Sequence, residues 1–336
     1  MNMRTRVGLL ALLIAASLGL RAAQEPYRFI KAIPIGGPGG WDYISLDSQA
    51  HRLYVSHATK VVVVDLDTDK VVGEIAPTPG VHGFAVAPDL GRGFSSNGRE
   101  NASTIVDLKT LTAIAKVETG GNPDAVIYEP ARREVYTLNG SGKSATVFDA
   151  QTGKVTATID LGGKPEAPAA DRAAQRIFVN LEDTNQIAVI DTSSHAVVAK
   201  WPLTGCEEPT GLGYDPGRHR LFSACHNKVM TATDSLSGKV VATVPIGART
   251  DGAAFDPATG YAFASNGEGT VTIARLDASD TFTVVQTLKT EPSARTMVLD
   301  AVTHNIYLPA ATMTTGADGR SQAAPDSFRV LVYGMK

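Results

Sequence analysis

One short pattern returns about every forty residues along this chain, and it constrains the fold more than any other feature. WDYISLDSQAHRLYVSH at 41–57, VHGFAVAPDLGRGFSSN at 81–97, PDAVIYEPARREVYTLN at 123–139 and TDGAAFDPATGYAFASN at 250–266 align without gaps. Each is followed by a run such as VVVVDLDTDKVVGEI at 61–75 or ATVFDAQTGKVTATI at 145–159. One repeat therefore holds four short apolar stretches separated by three turns. The stretches are rich in β-branched and aromatic residues, too short for helices, and bounded by Gly, Pro, Asn and Asp, which reads as strands.

A lone four-stranded sheet cannot bury both faces, so repeats of this length are expected to stack as the blades of a closed ring. Seven repeats start near residues 41, 81, 123, 165, 209, 250 and 294. The last has only three strands, while the segment Tyr27 to Ile33 is strand-like and matches the fourth strands elsewhere. The expected fold is an all-β, seven-bladed β-propeller of four-stranded antiparallel blades, closed by that N-terminal strand in the last blade. Closure of this kind removes two exposed sheet edges that would otherwise pair with other chains. Asp65, Asp107, Asp149, Asp191 and Asp234 share one repeat position before the turn between strands three and four, and read as side chains capping that turn.

Residues 1–23 combine Arg4 and Arg6, an apolar run from Val7 to Leu20, and small residues at Ala22 and Ala23. That is the form of a secretory signal peptide, which leaves 24–336 as one propeller domain with a periplasmic or secreted destination. The apolar run is too short to span a bilayer comfortably and nothing later approaches it, so no transmembrane segment is expected in the mature chain. Without the leader, 28 basic residues face 34 acidic ones. With 6% aromatics and no basic cluster, the chain lacks the stripe that nucleic acid would require. A closed ring of this kind is expected to act as a monomer.

The strand endings YVSH, FSSN, YTLN and FASN, with the downstream V-x-V-x-D pattern, resemble the YVTN-type β-propeller repeat proteins. The resemblance covers residues 27–336 and implies an exported seven-bladed propeller. It brings no common catalytic motif, so it assigns no functional residue. Repeat six departs from the pattern at Arg275, and repeat seven carries a long insertion.

Functional residues are sought where a symmetric scaffold varies. The residue opening the innermost strand is Asp42, His82, Asp124, Glu166, Thr210, Asp251 and Arg295 in turn, and all seven are polar. Fifteen residues later come His57, Asn97, Asn139, Leu181, Cys225, Asn266 and Ala310. In an antiparallel meander the start of strand one and the end of strand two share a face, so both sets are expected around one channel mouth. Clustered carboxylates there should hold some protons more tightly than usual.

A divalent cation is an open possibility as cofactor. Asp124, Glu166 and Asp251, with the asparagines, offer hard oxygen ligands for Ca²⁺ or Mg²⁺. Asp42, His57 and His82 would suit Zn²⁺ or a similar ion. Cys206 and Cys225 lie at the same mouth within one blade, and an exported setting favours a disulfide between them. The rival is a thiolate metal site using Cys225, His226 and Glu208. The insertion at 311–327 follows a strand-two end and reads either as a lid over the mouth or as a loose loop.

The leading functional reading is an exported propeller that binds a small polar ligand, a cation or an exported protein partner at this mouth without chemistry. The alternatives are a metal-dependent lyase or lactone hydrolase using the Asp, Glu and Asn residues, and a structural or cell-surface scaffold.

Overall fold

The computed structural model describes residues 26–316, 319 and 321–335; the leader expected over residues 1–23 lies outside them. Among the described residues are seven four-stranded antiparallel sheets arranged as a ring, and no α-helix. Among the described residues no helix is long and apolar enough to cross a membrane. Each of the first six blades runs from an inner strand to an outer one in sequence order. Blade 1 comprises Trp41–Asp47, Arg52–His57, Lys60–Asp65 and Lys70–Ile75, and blade 4 comprises Pro165–Asp171, Arg176–Leu181, Gln186–Asp191 and Ala196–Pro202.

The last blade closes the ring as the repeat count requires. Its order is Val298–Leu299, Ile306–Ala310, Arg329–Met335 and then Tyr27–Pro34, with Tyr27 opposite Met335 and Pro34 opposite Arg329. A bulge between Phe29 and Lys31 interrupts the closing strand, so Tyr27 is buried against blade 6 and Ile33 against blade 1, while Phe29 stays exposed. The Tyr27 hydroxyl donates to the His304 carbonyl oxygen at 2.8 Å, and the Gln286 side chain grips the Tyr27 backbone N–H and carbonyl, both at 2.9 Å. Blade 6 thus holds the strand that completes blade 7.

One position of every second strand is aromatic, the third residue in blades 1 to 6 and the second in the shorter strand Ile306–Ala310: Tyr54, Phe94, Tyr136, Phe178, Phe222, Phe263 and Tyr307, all buried. In four blades this ring meets an aromatic ring on the inner strand of the next blade. The pairs are Tyr54 with Phe84, Phe94 with Tyr128, Phe178 with Tyr214 and Phe222 with Phe255, with centroids 4.9–6.2 Å apart. Such pairs contribute about 0.5–1.5 kcal/mol each beyond the area they bury. They are the mechanical link between blades.

The five repeat-phased aspartates do cap turns. Asp65, Asp107, Asp149, Asp191 and Asp234 each accept a backbone N–H from three residues ahead, at 2.7–2.8 Å. In blade 6, where the pattern breaks at Arg275, Asp277 takes the role and accepts from the Ser279 and Thr281 amides. Arg275 itself lies over the Tyr261 ring, 4.5 Å from its centroid.

Cys206 and Cys225 form a disulfide, their Cα atoms 5.5 Å apart, which removes the thiolate alternative. The described part of the 311–327 insertion folds into a hairpin, Met313–Thr315 paired with Ser321–Ala323. It sits against the 37–41 linker that leads from the closing strand into blade 1, enclosing a cavity of about 620 Å³.

Candidate functional site at the channel mouth

The inner strands begin at one end of the ring, and their opening residues meet there. Asp42, His82, Asp124, Glu166, Thr210, Asp251 and Arg295 all line a single cavity of about 590 Å³. Four of their backbones are tied to the blade before. Thr296 Oγ1 donates to the Asp42 carbonyl oxygen at 2.8 Å, Asn180 Nδ2 to that of Thr210 at 3.1 Å, and the Ser96 and Ser265 hydroxyls to those of Asp124 and Arg295. A ring held this way is preorganised, since its side chains are presented by rigid strands.

Basic groups are set between the acids at several points of the mouth. Arg295 bridges two blades, with Nε donating to Asp251 Oδ2 at 2.6 Å and Nη2 to Asp42 Oδ1 at 3.1 Å. His82 Nδ1 lies 2.7 Å from Asp42 Oδ2 and 3.6 Å from Asp124 Oδ1. Lys164 Nζ sits 2.9 Å from Glu166 Oε1 and also pairs with Glu182. At the centre is Tyr43, whose hydroxyl reaches across from blade 1 to donate to Glu166 Oε2 at 3.3 Å.

The electrostatics follow from burial and crowding. Burial, and next the Asp42 charge, raise the Asp124 carboxyl from 3.8 to about 7, with His82 pulling the other way. Burial, and next the Asp124 charge, raise Glu166 from 4.5 to about 8 despite Lys164. Burial raises Asp251 too, against the opposing pull of Arg295. His82 is raised because its hydrogen bond to Asp42 outweighs desolvation. Burial, and then the charges of Glu166, Asp124, Asp251 and Asp42, hold the Tyr43 phenol well above its ordinary range. Although His82, Lys164 and Arg295 oppose it, burial leaves Asp124, Glu166 and Asp251 with a stronger hold on protons than a carboxylate in water has.

The second expected ring is not at the mouth. His57, Asn97, Asn139 and Asn266 are fully buried and line no part of this cavity. The reason is register: they pair with Trp41, Val81, Pro123 and Thr250, one residue before the mouth residues of their blades. The asparagines turn inward to lock the next hairpin. Asn97 Nδ2 donates to Thr104 Oγ1 at 2.8 Å, Asn139 Nδ2 to Thr146 Oγ1 at 3.0 Å and Asn266 Nδ2 to Thr272 Oγ1 at 3.2 Å. His57 packs on the Phe328 ring at 4.3 Å.

The two metal sets expected from sequence are accordingly rearranged. His57 is separated from Asp42 and His82, and Asp124 takes its place: ligand atoms of Asp42, His82 and Asp124 all lie within 4.8 Å of one another. Glu166 and Asp251 instead face the protein's own Lys164 and Arg295. Among the described residues a second such group, Glu182, Glu208 and His226, stands at the rim.

Sequence reasoning missed Tyr43, Lys164, Glu182 and Arg249. Tyr43 had a legible signal. At its repeat position the other blades carry Gly83, Ala125, Ala167, Gly211, Gly252 and Thr296, so one large residue stands where six small ones leave the channel open. Lys164 and Arg249 share one repeat position, two residues before the mouth residue, where other blades carry Gly40, Gly80, Asn122, Glu208 and Ser293; Glu182 directly follows the end of its second strand, as His226 does in blade 5. The hairpin shares a further cavity with this mouth, lined by Met313, Arg249 and Arg295.

Known family profiles give no match to this chain, and neither do curated proteins.

Proposed function

We propose that the protein is a binding propeller whose channel mouth takes up a small organic cation. The observation that carries this reading is the set of four carboxylates, Asp42, Asp124, Glu166 and Asp251, gathered around the Tyr43 hydroxyl in a cavity of about 590 Å³. An ammonium group supplies positive charge and N–H donors to a cluster in which Asp124 and Glu166 are raised to about 7 and about 8, and an aromatic residue beside it adds cation–π attraction. The low-dielectric walls of the funnel strengthen that attraction relative to water. No nucleophile with an adjacent base stands out in this ring, which favours binding over catalysis.

The test is calorimetry with methylammonium and longer primary amines on the parent and on Asp124→Asn/Asp251→Asn. Saturable binding by the parent and its loss in the double variant support the reading. Equal heats for both proteins refute it.

A second reading is a divalent transition-metal ion at Asp42, His82 and Asp124, favoured by their mutual distances and by a nitrogen–oxygen donor set. Three protein ligands would leave coordination positions facing the cavity, as a metal-assisted lyase or hydrolase requires. Stoichiometric Zn²⁺ uptake that is lost in His82→Ala would move the assignment there.

The compartment belongs to the same proposal. The disulfide and the resemblance of the strand endings to exported YVTN-type propellers support a periplasmic or secreted setting.

A further inference from the structure

The mouth is one end of a longer passage that changes character along its axis. Beyond Tyr43 lies a second cavity of about 220 Å³ whose wall includes Ile44, Phe84, Val126, Leu212 and Met297. Tyr43 and Asp251 line both spaces, so they mark the junction between a charged chamber and an apolar one. The apolar chamber exists because the inner strands carry small residues there, including Gly83, Ala125, Ala167 and Gly252. Protein interiors are otherwise filled to crystal-like density.

From this juxtaposition we infer that the ligand is an amphipathic amine, its ammonium held among the ring carboxylates and its apolar tail passing Tyr43 into the lower chamber. This rests on the cation-binding reading above. Charge complementarity fixes which end of the ligand sits where: of the ring carboxylates Asp251 alone borders the lower chamber, and it is already paired with Arg295, whereas Asp42, Asp124 and Glu166 stand at the mouth. Size bounds the tail. An apolar cavity of about 150 Å³ accepts benzene, so the lower chamber suits a chain of about four to six carbons or one aryl ring. Tyr43 is the residue such a tail must pass. Its single bond to Glu166, at 3.3 Å, is long enough to yield to a side-chain rotation.

The experiment is calorimetry of the full chain with the n-alkylammonium series from methyl to hexyl at constant ionic strength. The expected result is affinity rising about fourfold per added methylene and then levelling as the chamber fills. Ala167→Leu and Ala253→Leu fill the chamber from different blades, and each should flatten the series toward the methylammonium value. A flat series in the parent, with methylammonium still bound, overturns this inference and leaves the mouth reading intact. A length dependence that survives in both filled variants also overturns it. Failure of every amine to bind removes the mouth reading itself.

Discussion

Replacing Glu166 by Gln should make the protein more stable at alkaline pH, because the native fold holds this carboxyl in its protonated form at a cost. Glu166 is 8% exposed, accepts from Tyr43, and is raised from 4.5 to about 8, first by burial and then by the Asp124 charge. In the unfolded chain the acid loses its proton near 4.5, whereas in the folded chain it keeps it until about 8. Between those values the native state binds more protons than the unfolded one, so stability falls as pH rises, by at most about 1.4 kcal/mol per pH unit for this group. The loss levels off above the folded value. Asp124, raised to about 7, shares part of the same penalty, so the two effects do not add in full. Gln keeps the shape and the acceptor for Tyr43 and has no proton to lose, while Lys164 keeps Glu182. Denaturant unfolding at pH 5, 7 and 9 should show Glu166→Gln within about 0.5 kcal/mol of the parent at pH 5 and more stable by on the order of 2–4 kcal/mol at pH 9. Parallel pH profiles, or a variant less stable at pH 9, would refute the electrostatic account of the ring.

The closing strand gives a second test: Tyr27→Ala should cost about 3–5 kcal/mol and lower one cooperative transition, and a separate early loss of the last blade would contradict ring closure. Thiol titration of unreduced, denatured protein should find no free thiol, and reduction of Cys206–Cys225 should lower stability by about 3 kcal/mol for a loop of this length. Asn139→Ala should destabilise by about 1–2 kcal/mol through the lost bonds to Ser144 and Thr146 while leaving amine affinity unchanged; a change in affinity would return Asn139 to the mouth.

Much of the fold was legible because it is written in a period. Equal repeat phase sets blade number, strand order, the turn-capping aspartates and the convergence of Asp42, Asp124, Glu166, Asp251 and Arg295, since symmetry maps phase directly onto radius and height in the ring. The inner-strand register was harder to read. A bulge follows the first residue of the inner strand in blades 1 to 6, and a shift of one residue sends a side chain to the other face. That is why His57 and the three asparagines lie inside the blades. The departures from symmetry were the least accessible: Tyr43 required comparing one position across all seven blades, and Lys164 and Glu182 hold positions just outside the strands, where glycine stands in several other blades and no strand pattern draws attention to them.

The central claim is that burial and mutual crowding make Asp124 and Glu166 hold protons that a cationic ligand displaces. The most direct measurement is the number of protons released when butylammonium binds at pH 7, obtained by calorimetry in buffers of differing ionisation heat. Asp124 and Glu166, raised to about 7 and about 8, should fall on binding, so net proton release is predicted at pH 7 and should fade toward pH 9, where both are already ionised. Binding without proton release, or saturable binding that persists unchanged in Asp124→Asn/Glu166→Gln, would contradict it.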